Sequence, residues 1–391
     1  MRYLFLRMKR FCGFITGFVF FLSGIIKLMD PVGAGLVMDE YFDFLHIGFL
    51  SFSAKAAGVF FAFAETLIGT ALITGVWRKP TALCAICLQT FFTLLTLLLV
   101  IFNPEMDCGC FGEAIHLTHM QTFLKNVLIL ALLLAYYIPG RHLGEARKMK
   151  YISFSLVTAS VIAFTIYSLI YIPLIDFTAY RPGSKLEAGA EINSDDMYES
   201  VFTYEKDGIR ERFTLGHLPD STWTFVNAET RLKKGYKESL TGLSFYDPVT
   251  GDYKDNLATE GKVMAISVYN SQMGTRKWSR TEAFISRASK AGFTVLLLYA
   301  SKEGIPASLS ESAYISDYKT LISLNRSNGG ATYFHNGQLI RKWAGINTPD
   351  ASELKTIAET AATEIVIAQD SKGSLVFQGF LLYVTAIMLL L

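Results

Sequence analysis

The sequence predicts a membrane-embedded all-α bundle of six spans, joined to an exterior α+β region. Three observations carry that reading. Long apolar runs come close to the length that crosses a bilayer, the connecting segments alternate in charge, and the patterning turns polar and strand-like after residue 172. Composition agrees: 51% of residues are hydrophobic and only 18% charged, with a mean hydropathy of +0.33. Ordinary soluble chains and disordered ones both lie elsewhere. The net charge of +2 argues for no nucleic-acid partner, because the basic residues gather at helix ends rather than on one face.

Five runs, Phe11–Met29, Ala56–Val76, Thr81–Phe102, Thr122–Ile138 and Tyr151–Ile172, each approach the ~20 residues that span the hydrocarbon core. A sixth, Leu375–Leu391, is slightly short and has no basic residue after it. It reads either as a span ending in the membrane or as one cut short.

Basic residues lie before the first span (Arg2, Arg7, Lys9, Arg10), after the second (Arg78, Lys79) and after the fourth (Arg141, Arg147, Lys148, Lys150). Acidic residues follow the first (Asp30, Asp39, Glu40, Asp43) and the third (Glu105, Asp107, Glu113). The positive-inside rule then predicts an inner (cytoplasmic) membrane protein with a cytoplasmic amino terminus and residues 173–372 in the periplasm. The stretch Lys27–Pro31 lacks a small-residue cleavage site, so the first span is expected to be retained.

The expected divisions are a membrane unit over 1–172, a β-rich exterior segment over 173–260, an α/β domain over 261–372 and a terminal helix over 373–391. In the β-rich segment Glu199–Tyr204 and Thr222–Val226 alternate as short antiparallel strands do. From Lys262 the order becomes a buried strand (Val263–Tyr269), a helix (Arg280–Ala291) and a second buried strand (Phe293–Tyr299). After Lys319–Leu324 comes a hairpin, Ala331–Phe334 and Gln338–Trp343, about His335-Asn336-Gly337.

That order resembles a thioredoxin-like fold, with two departures. Where such folds carry Cys-x-x-Cys after the first long strand, Asn270–Trp278 has no cysteine, and Gly329-Gly330 stands at the proline position. No cysteine occurs from Pro173 onward. The domain therefore cannot exchange thiols itself and is expected to bind a partner or cover the membrane site.

The chemistry-bearing motif is Asp107-Cys108-Gly109-Cys110-Phe111-Gly112, a thiol pair in a short acidic loop between two spans. As the only exterior thiols, Cys108 and Cys110 can bond to each other, to a metal or to a visiting molecule. A disulfide across one residue is strained and therefore oxidising, and Gly109 permits the tight turn. A zinc site with His116 and His119, or a structural loop disulfide, are the competing readings.

Cys84 and Cys87, at i and i+3 on the third span, read as packing residues or as a quinone-facing dithiol that would bind a cofactor. Cys87 and Cys108 are separated by about 30 Å at the helical rise, too far for direct exchange. Cys12 reads as packing. Glu65, in the middle of the second span, reads as a proton carrier or as a hydrogen bond pinning helices. Lys27 is expected to snorkel to the interface, and Gln89 and Asn126 to bond between helices.

The runs Gly17–Pro31, Glu65–Gly69, Asp107–Gly112 and Lys125-Asn126 resemble the DoxX-like superfamily, specifically its MauE branch, over roughly residues 13–138. The resemblance implies a DoxX-like four-helix unit, with two further spans in this chain. DoxX-type proteins include some linked to quinone-coupled sulfur oxidation, and MauE proteins are associated with methylamine utilisation, aiding disulfide formation in a periplasmic enzyme. No residue here points to methylamine as a substrate. The whole is similar to Bacteroidetes-type DoxX family proteins that fuse such a unit to a thioredoxin-like domain, here a degenerate one.

The expected function is thiol–disulfide exchange at the periplasmic face. Cys108 and Cys110 would be the reactive pair, Glu65 a proton relay and a membrane quinone the electron acceptor. Periplasmic protein thiols or another redox membrane protein would be the partner. The alternative is a non-catalytic membrane scaffold whose exterior domain binds envelope proteins. Transport is disfavoured by the scarcity of polar residues in the spans and the lack of a repeat.

Overall fold

The computed structural model describes residues 2–104, 106–115, 117–137, 146–186, 198–206, 209–214, 219–220, 222–232, 242–301, 304–310 and 313–390. Six of its helices are long and apolar enough to cross a membrane. They are α1 (Arg2–Met29), α3 (Ala54–Thr74), α4 (Arg78–Phe102), α5 (His119–Tyr137), α6 (Lys148–Ile170) and α11 (Ala362–Leu390). The last starts well before the expected Leu375, because nothing between Ala362 and Gly373 breaks the helix.

Between α1 and α3 lies a helix that the apolar pattern did not announce, α2 (Pro31–Phe44). Asp30 caps it by accepting the Gly33 N–H at 2.9 Å, and Pro31 occupies its first position, a standard start signal. Its acidic residues sit towards its far end, which is why the segment reads as a charged loop.

The bundle is built on glycine contacts. A β-carbon on Gly24 would collide with Thr66 and the Ala62 carbonyl, and one on Gly69 with the α1 backbone at Phe21 and Gly17. Gly17 and Gly24, one heptad apart, thus let α1 lie directly on α3, the close approach that small residues permit between apolar helices. Gly58 does the same for α2, whose Ala34 carbonyl would be 2.7 Å from an added β-carbon. Helices α6 and α11 complete the packing: Val157, Val161, Phe164, Val384 and Met388 bury against Phe21, Ile25 and Leu28, and Phe164 stacks on Phe380 at 4.6 Å.

Outside the bundle are two sheets. Strands β2 (Tyr198–Lys206), β3 (Ile209–Thr214) and β4 (Thr224–Leu232) form an antiparallel sheet in the order β3-β2-β4. The other sheet is mixed and six-stranded. Its parallel centre is β6 (Lys262–Val268), β7 (Thr294–Tyr299) and β8 (Ala313–Ser316). Antiparallel β9 (Gly330–His335) and β10 (Gln338–Trp343) extend one side, and β5 (Phe245–Tyr246) the other, giving β10-β9-β6-β7-β8-β5.

Helices cover both faces, as a parallel centre requires. Met264, Ile266 and Val268 pack with α7 (Thr275–Lys290) and α10 (Ala351–Glu359) on one face. Val263 and Ala265 pack with α9 (Tyr318–Leu324) on the other; the single turn α8 (Ala307–Ser310) precedes β8. The hairpin turn has Asn336 at φ 48° and Gly337 at φ 75°, the left-handed pair that an Asn-Gly hairpin uses.

Two features differ from the expected layout. Tyr180, Leu186, Leu243 and Phe245 bury in the core of the six-stranded sheet, and Lys185 bridges to Gln338. The division drawn at residue 260 therefore does not separate packed units, because the open faces and edges of the sheet recruit chain from both ends of that segment. Helix α7 also begins at Thr275 rather than Arg280.

Two buried ion pairs tie the sheet to the bundle. Arg326 Nε lies 2.9 Å from Asp30 Oδ2, so the carboxylate that caps α2 also holds the exterior domain. Lys342 Nζ lies 2.6 Å from Asp176 Oδ2, with side-chain exposures of 3% and 12%. Burial pulls the Lys342 ammonium down, and Asp176 pulls it back up.

A bulky side chain at the α1–α3 crossing has no room. Gly24→Leu is expected to destabilise the full chain by about 1–3 kcal/mol, the usual range for overpacking, whereas Gly379→Leu, which adds its side chain in open space on α11, should cost less. Thermal unfolding of the detergent-solubilised protein measures both; equal losses would show that the crossing is not tight.

Candidate functional site

The glycine contacts bring one polar cluster together inside the bundle. Lys27 Nζ of α1 lies 2.6 Å from Glu65 Oε1 of α3, with side-chain exposures of 15% and 3%. Either charge alone in the hydrocarbon interior costs roughly 3 kcal/mol, and their pairing offsets much of that. Lys27 thus turns inward rather than snorkelling to the interface, because a carboxylate lies within reach across the glycine seam. Its ammonium also sits 5.6 Å from the Phe92 ring centre, a cation–π arrangement.

The other oxygen of Glu65 connects to the cysteine loop. The Ser23 hydroxyl lies 2.7 Å from Glu65 Oε2 and 2.8 Å from the Cys110 carbonyl. Having one hydrogen, it can donate fully to only one of these two acceptors at a time. The loop is held from α2 as well, since the Tyr41 hydroxyl donates to the Cys108 carbonyl at 2.9 Å. Burial, and then the neighbouring Cys110 and Cys108, push the Tyr41 phenol up, so it stays a neutral donor.

Gly109 is required on two grounds: its φ is +59°, and a β-carbon there would run into Val37 of α2. The chain turns through it into β1 (Cys110–Glu113).

Cys108 is buried, with 5% of its surface exposed, and Cys110 is half-buried; neither is in a disulfide. The Cys108 Sγ lies 3.0 Å from His119 Nδ1 at the first turn of α5. The Nε2 of the same ring lies 3.0 Å from the Pro104 carbonyl. A carbonyl only accepts, so Nε2 carries the hydrogen, and a neutral ring then offers Nδ1 as an acceptor to the Cys108 thiol. Burial pushes that thiol up, while the nearby Thr122 hydroxyl and Lys125 counter it. This is the geometry of a thiol beside a base oriented by a third group.

The polar cluster lines a cavity of about 330 Å³ bounded by α1 to α5 and by the cysteine loop. Phe20, Phe61, Phe91 and Phe92 contribute apolar walls; Ser23, Lys27, Glu65, Cys108 and Cys110 contribute polar ones. Gln89 and Asn126 border it too, with Gln89 Nε2 donating to the Asn126 carbonyl at 3.1 Å and Asn126 Nδ2 to Thr96 Oγ1 at 3.2 Å.

Of the site residues named from the sequence, the fold brings Cys108, Cys110 and Glu65 to this one cavity. Cys84 and Cys87 are exposed on α4 and do not line it. Cys12 packs half-buried beside Phe20 and Tyr136. Among the described residues no group of three or more His, Cys, Asp or Glu gathers as a metal site; His116, one of the four ligands of the zinc reading, lies outside the described residues.

Three functional neighbours escaped the sequence reading. His119 was weighed only as a metal ligand, although a histidine opening the next helix is placed to reach back into the loop. Ser23 and Tyr41 carried no signal, because contacts across sequence separations of 42 or more leave no local pattern.

Breaking the buried pair from one side should cost more than removing both charges. Lys27→Met is expected to destabilise by about 3–5 kcal/mol, and Lys27→Met with Glu65→Gln to recover much of the loss; thermal unfolding of the four proteins of the cycle reads the coupling, and additive losses would contradict the pair. Because the Cys108 thiol is pushed up, its thiolate should form later than that of an ordinary cysteine, near 8.5. Alkylation of Cys108 in a Cys110→Ser background should therefore be slow at neutral pH and accelerate on the alkaline side of that value, a profile that a rate-versus-pH series checks.

Residues 4–139 match the family model of the methylamine utilisation protein MauE. Residues 198–235, the three-stranded sheet, match a domain of unknown function, DUF8463. No curated protein and no solved structure matches the chain. The first match covers α1 to α5, the helices that surround the cavity, together with the cysteine loop. With six apolar helices of spanning length, the chain is an integral membrane protein that carries a MauE-like bundle over residues 4–139.

Proposed function

We propose that the chain is a thiol–disulfide oxidoreductase of the bacterial inner membrane, acting on thiols of periplasmic proteins or of another redox membrane protein through Cys108 and Cys110. One observation carries the reading: a buried thiol 3.0 Å from a histidine nitrogen shares the wall of a mixed apolar and polar cavity with the second thiol. A loop cysteine that serves packing alone needs neither the histidine nor the cavity.

With Cys108 and Cys110 joined, a partner thiolate attacks the more exposed Cys110 sulfur, forming a mixed disulfide and releasing Cys108, which takes up a proton. The second thiol of the partner then closes the partner's disulfide and releases Cys110. Rejoining the pair gives up two electrons and two protons, and His119 Nδ1 is the acceptor placed for the Cys108 proton. The relay of Ser23 and Glu65, next to the Cys110 backbone, offers a route for the other.

A quinone bound in the cavity would supply a sink for two electrons and two protons. The residues fit such a group: aromatic walls suit a flat ring, and Lys27, Gln89 and Asn126 border the space with polar hydrogens. The orientation supporting a periplasmic site rests on the charge alternation of the loops. The six-stranded sheet, read as a thioredoxin-like domain without its cysteines, would hold the partner near the loop.

Thiol trapping tests the reading. Cys108→Ser should accumulate mixed disulfides through Cys110 when expressed in its native membrane, the double Cys→Ser variant none, and His119→Ala should slow reoxidation of the pair at least tenfold. If neither single cysteine variant captures a partner, the exchange reading fails and a membrane scaffold with an exterior binding domain replaces it.

A further inference from the structure

A second cavity, of about 320 Å³, lies at the junction of the bundle and the six-stranded sheet. Its floor is where spans meet water: Asp30 and Pro31 after α1, Lys55 at the start of α3, Tyr171 and Pro173 after α6. Its roof is the loop around Met273, the first turns of α7 and the Asn328-Gly329 turn before β9. This is the rim at which a thioredoxin-like fold would carry its cysteines and proline, and here it faces the membrane unit instead.

The charges around this cavity do not balance. Lys55, Lys277, Arg280 and Arg326 line it against the single carboxylate of Asp30, leaving three cations in excess. Asp30 is already engaged, accepting from Arg326 Nε at 2.9 Å and from the Gly33 N–H. The side chains of Lys55, Lys277 and Arg280 make no ion pair or hydrogen bond with the described residues. Lys55 lies within electrostatic reach of Asp30, which attracts it, and less strongly of Lys277, which repels it.

Lys277 and Arg280 sit one turn apart on the same face of α7. The amino terminus of that helix has no side-chain cap, and its dipole adds to the positive field. Arg326 is 95% buried, with 5% exposed, and is fixed by Asp30 and by the Ile322 carbonyl at 3.2 Å. It gives the cavity a fixed cationic back wall, whereas Lys55, Lys277 and Arg280 are exposed.

We propose that this junction cavity is a binding site for a phosphate-bearing anion. Three unbalanced cations suit a phosphate group, and such groups are available at that depth as phospholipid headgroups and above it as free anions. Tyr171, Ile170, Val32 and Ile346 add apolar lining, which a glycerol or acyl segment could cover. Binding there bridges bundle and sheet, so occupancy stabilises the assembled chain by mass action.

The test uses the full chain purified in a phosphate-free neutral detergent. Its thermal midpoint is measured alone, with inorganic phosphate, with phosphatidylglycerol, and with sodium chloride at matched ionic strength. The expected result is a rise with phosphatidylglycerol, with phosphate, or with both, and a smaller one with chloride. A rise with the lipid alone assigns a headgroup, and a rise with phosphate assigns a free anion as well. Lys277→Glu with Arg280→Glu should abolish the rise; should that variant fail to fold, Lys277→Gln with Arg280→Gln should reduce it by more than about half. No rise beyond chloride in the wild type, or an undiminished rise in the folded variant, overturns the proposal.

Discussion

Everything in the membrane unit depends on the buried pair of Lys27 and Glu65. Two opposite charges in an apolar bundle are tolerated only when their helices come close enough for direct contact, and α1 and α3 do so because Gly17, Gly24 and Gly69 carry no side chains. The pair in turn fixes Ser23, whose hydroxyl holds the Cys110 carbonyl. A seam of small residues is thereby converted into the position of a thiol loop some 40 residues or more away in sequence.

The same economy governs the wall of the cavity. Helix α2 is short and weakly amphipathic, yet it supplies Tyr41 to one cysteine carbonyl, Val37 against Gly109, and the capping Asp30 that grips Arg326. A displacement of α2 would move the thiol loop and the exterior domain together. The bundle and the sheet are therefore mechanically joined at the element that the hydropathy pattern reveals least, and the second cavity opens beside that joint.

The legibility of the chain was uneven for physical reasons. Spans were readable because a bilayer demands a continuous apolar run, which is a local property. The central strands were readable because both faces of β6 are buried, giving Val263–Val268 an unbroken apolar stretch. The Asn336-Gly337 turn was readable from its two residues. By contrast α2 is hidden because Asp39, Glu40 and Asp43 give its segment the charge of a loop, and β5 because two residues are too few to form a pattern. Cys108, Cys110 and Glu65 could be singled out by residue type in an unusual place, but His119 was seen only as a metal ligand, since its partner is set by how the loop folds back.

By itself the sequence determined that this chain crosses a membrane, that its thiols lie in the bundle and not in the exterior domain, and that a carboxylate sits in the middle of an apolar run. Those properties depend on composition along a single segment. Only the tertiary structure decided that Lys27 faces inward, that His119 meets Cys108 through its Nδ1, that Cys84 and Cys87 lie away from the cavity, and that four cations line one cavity with a single carboxylate beneath the sheet. Each of these depends on which helices touch and at what rotation, and that is settled by the packing of glycines and buried charges across distant segments.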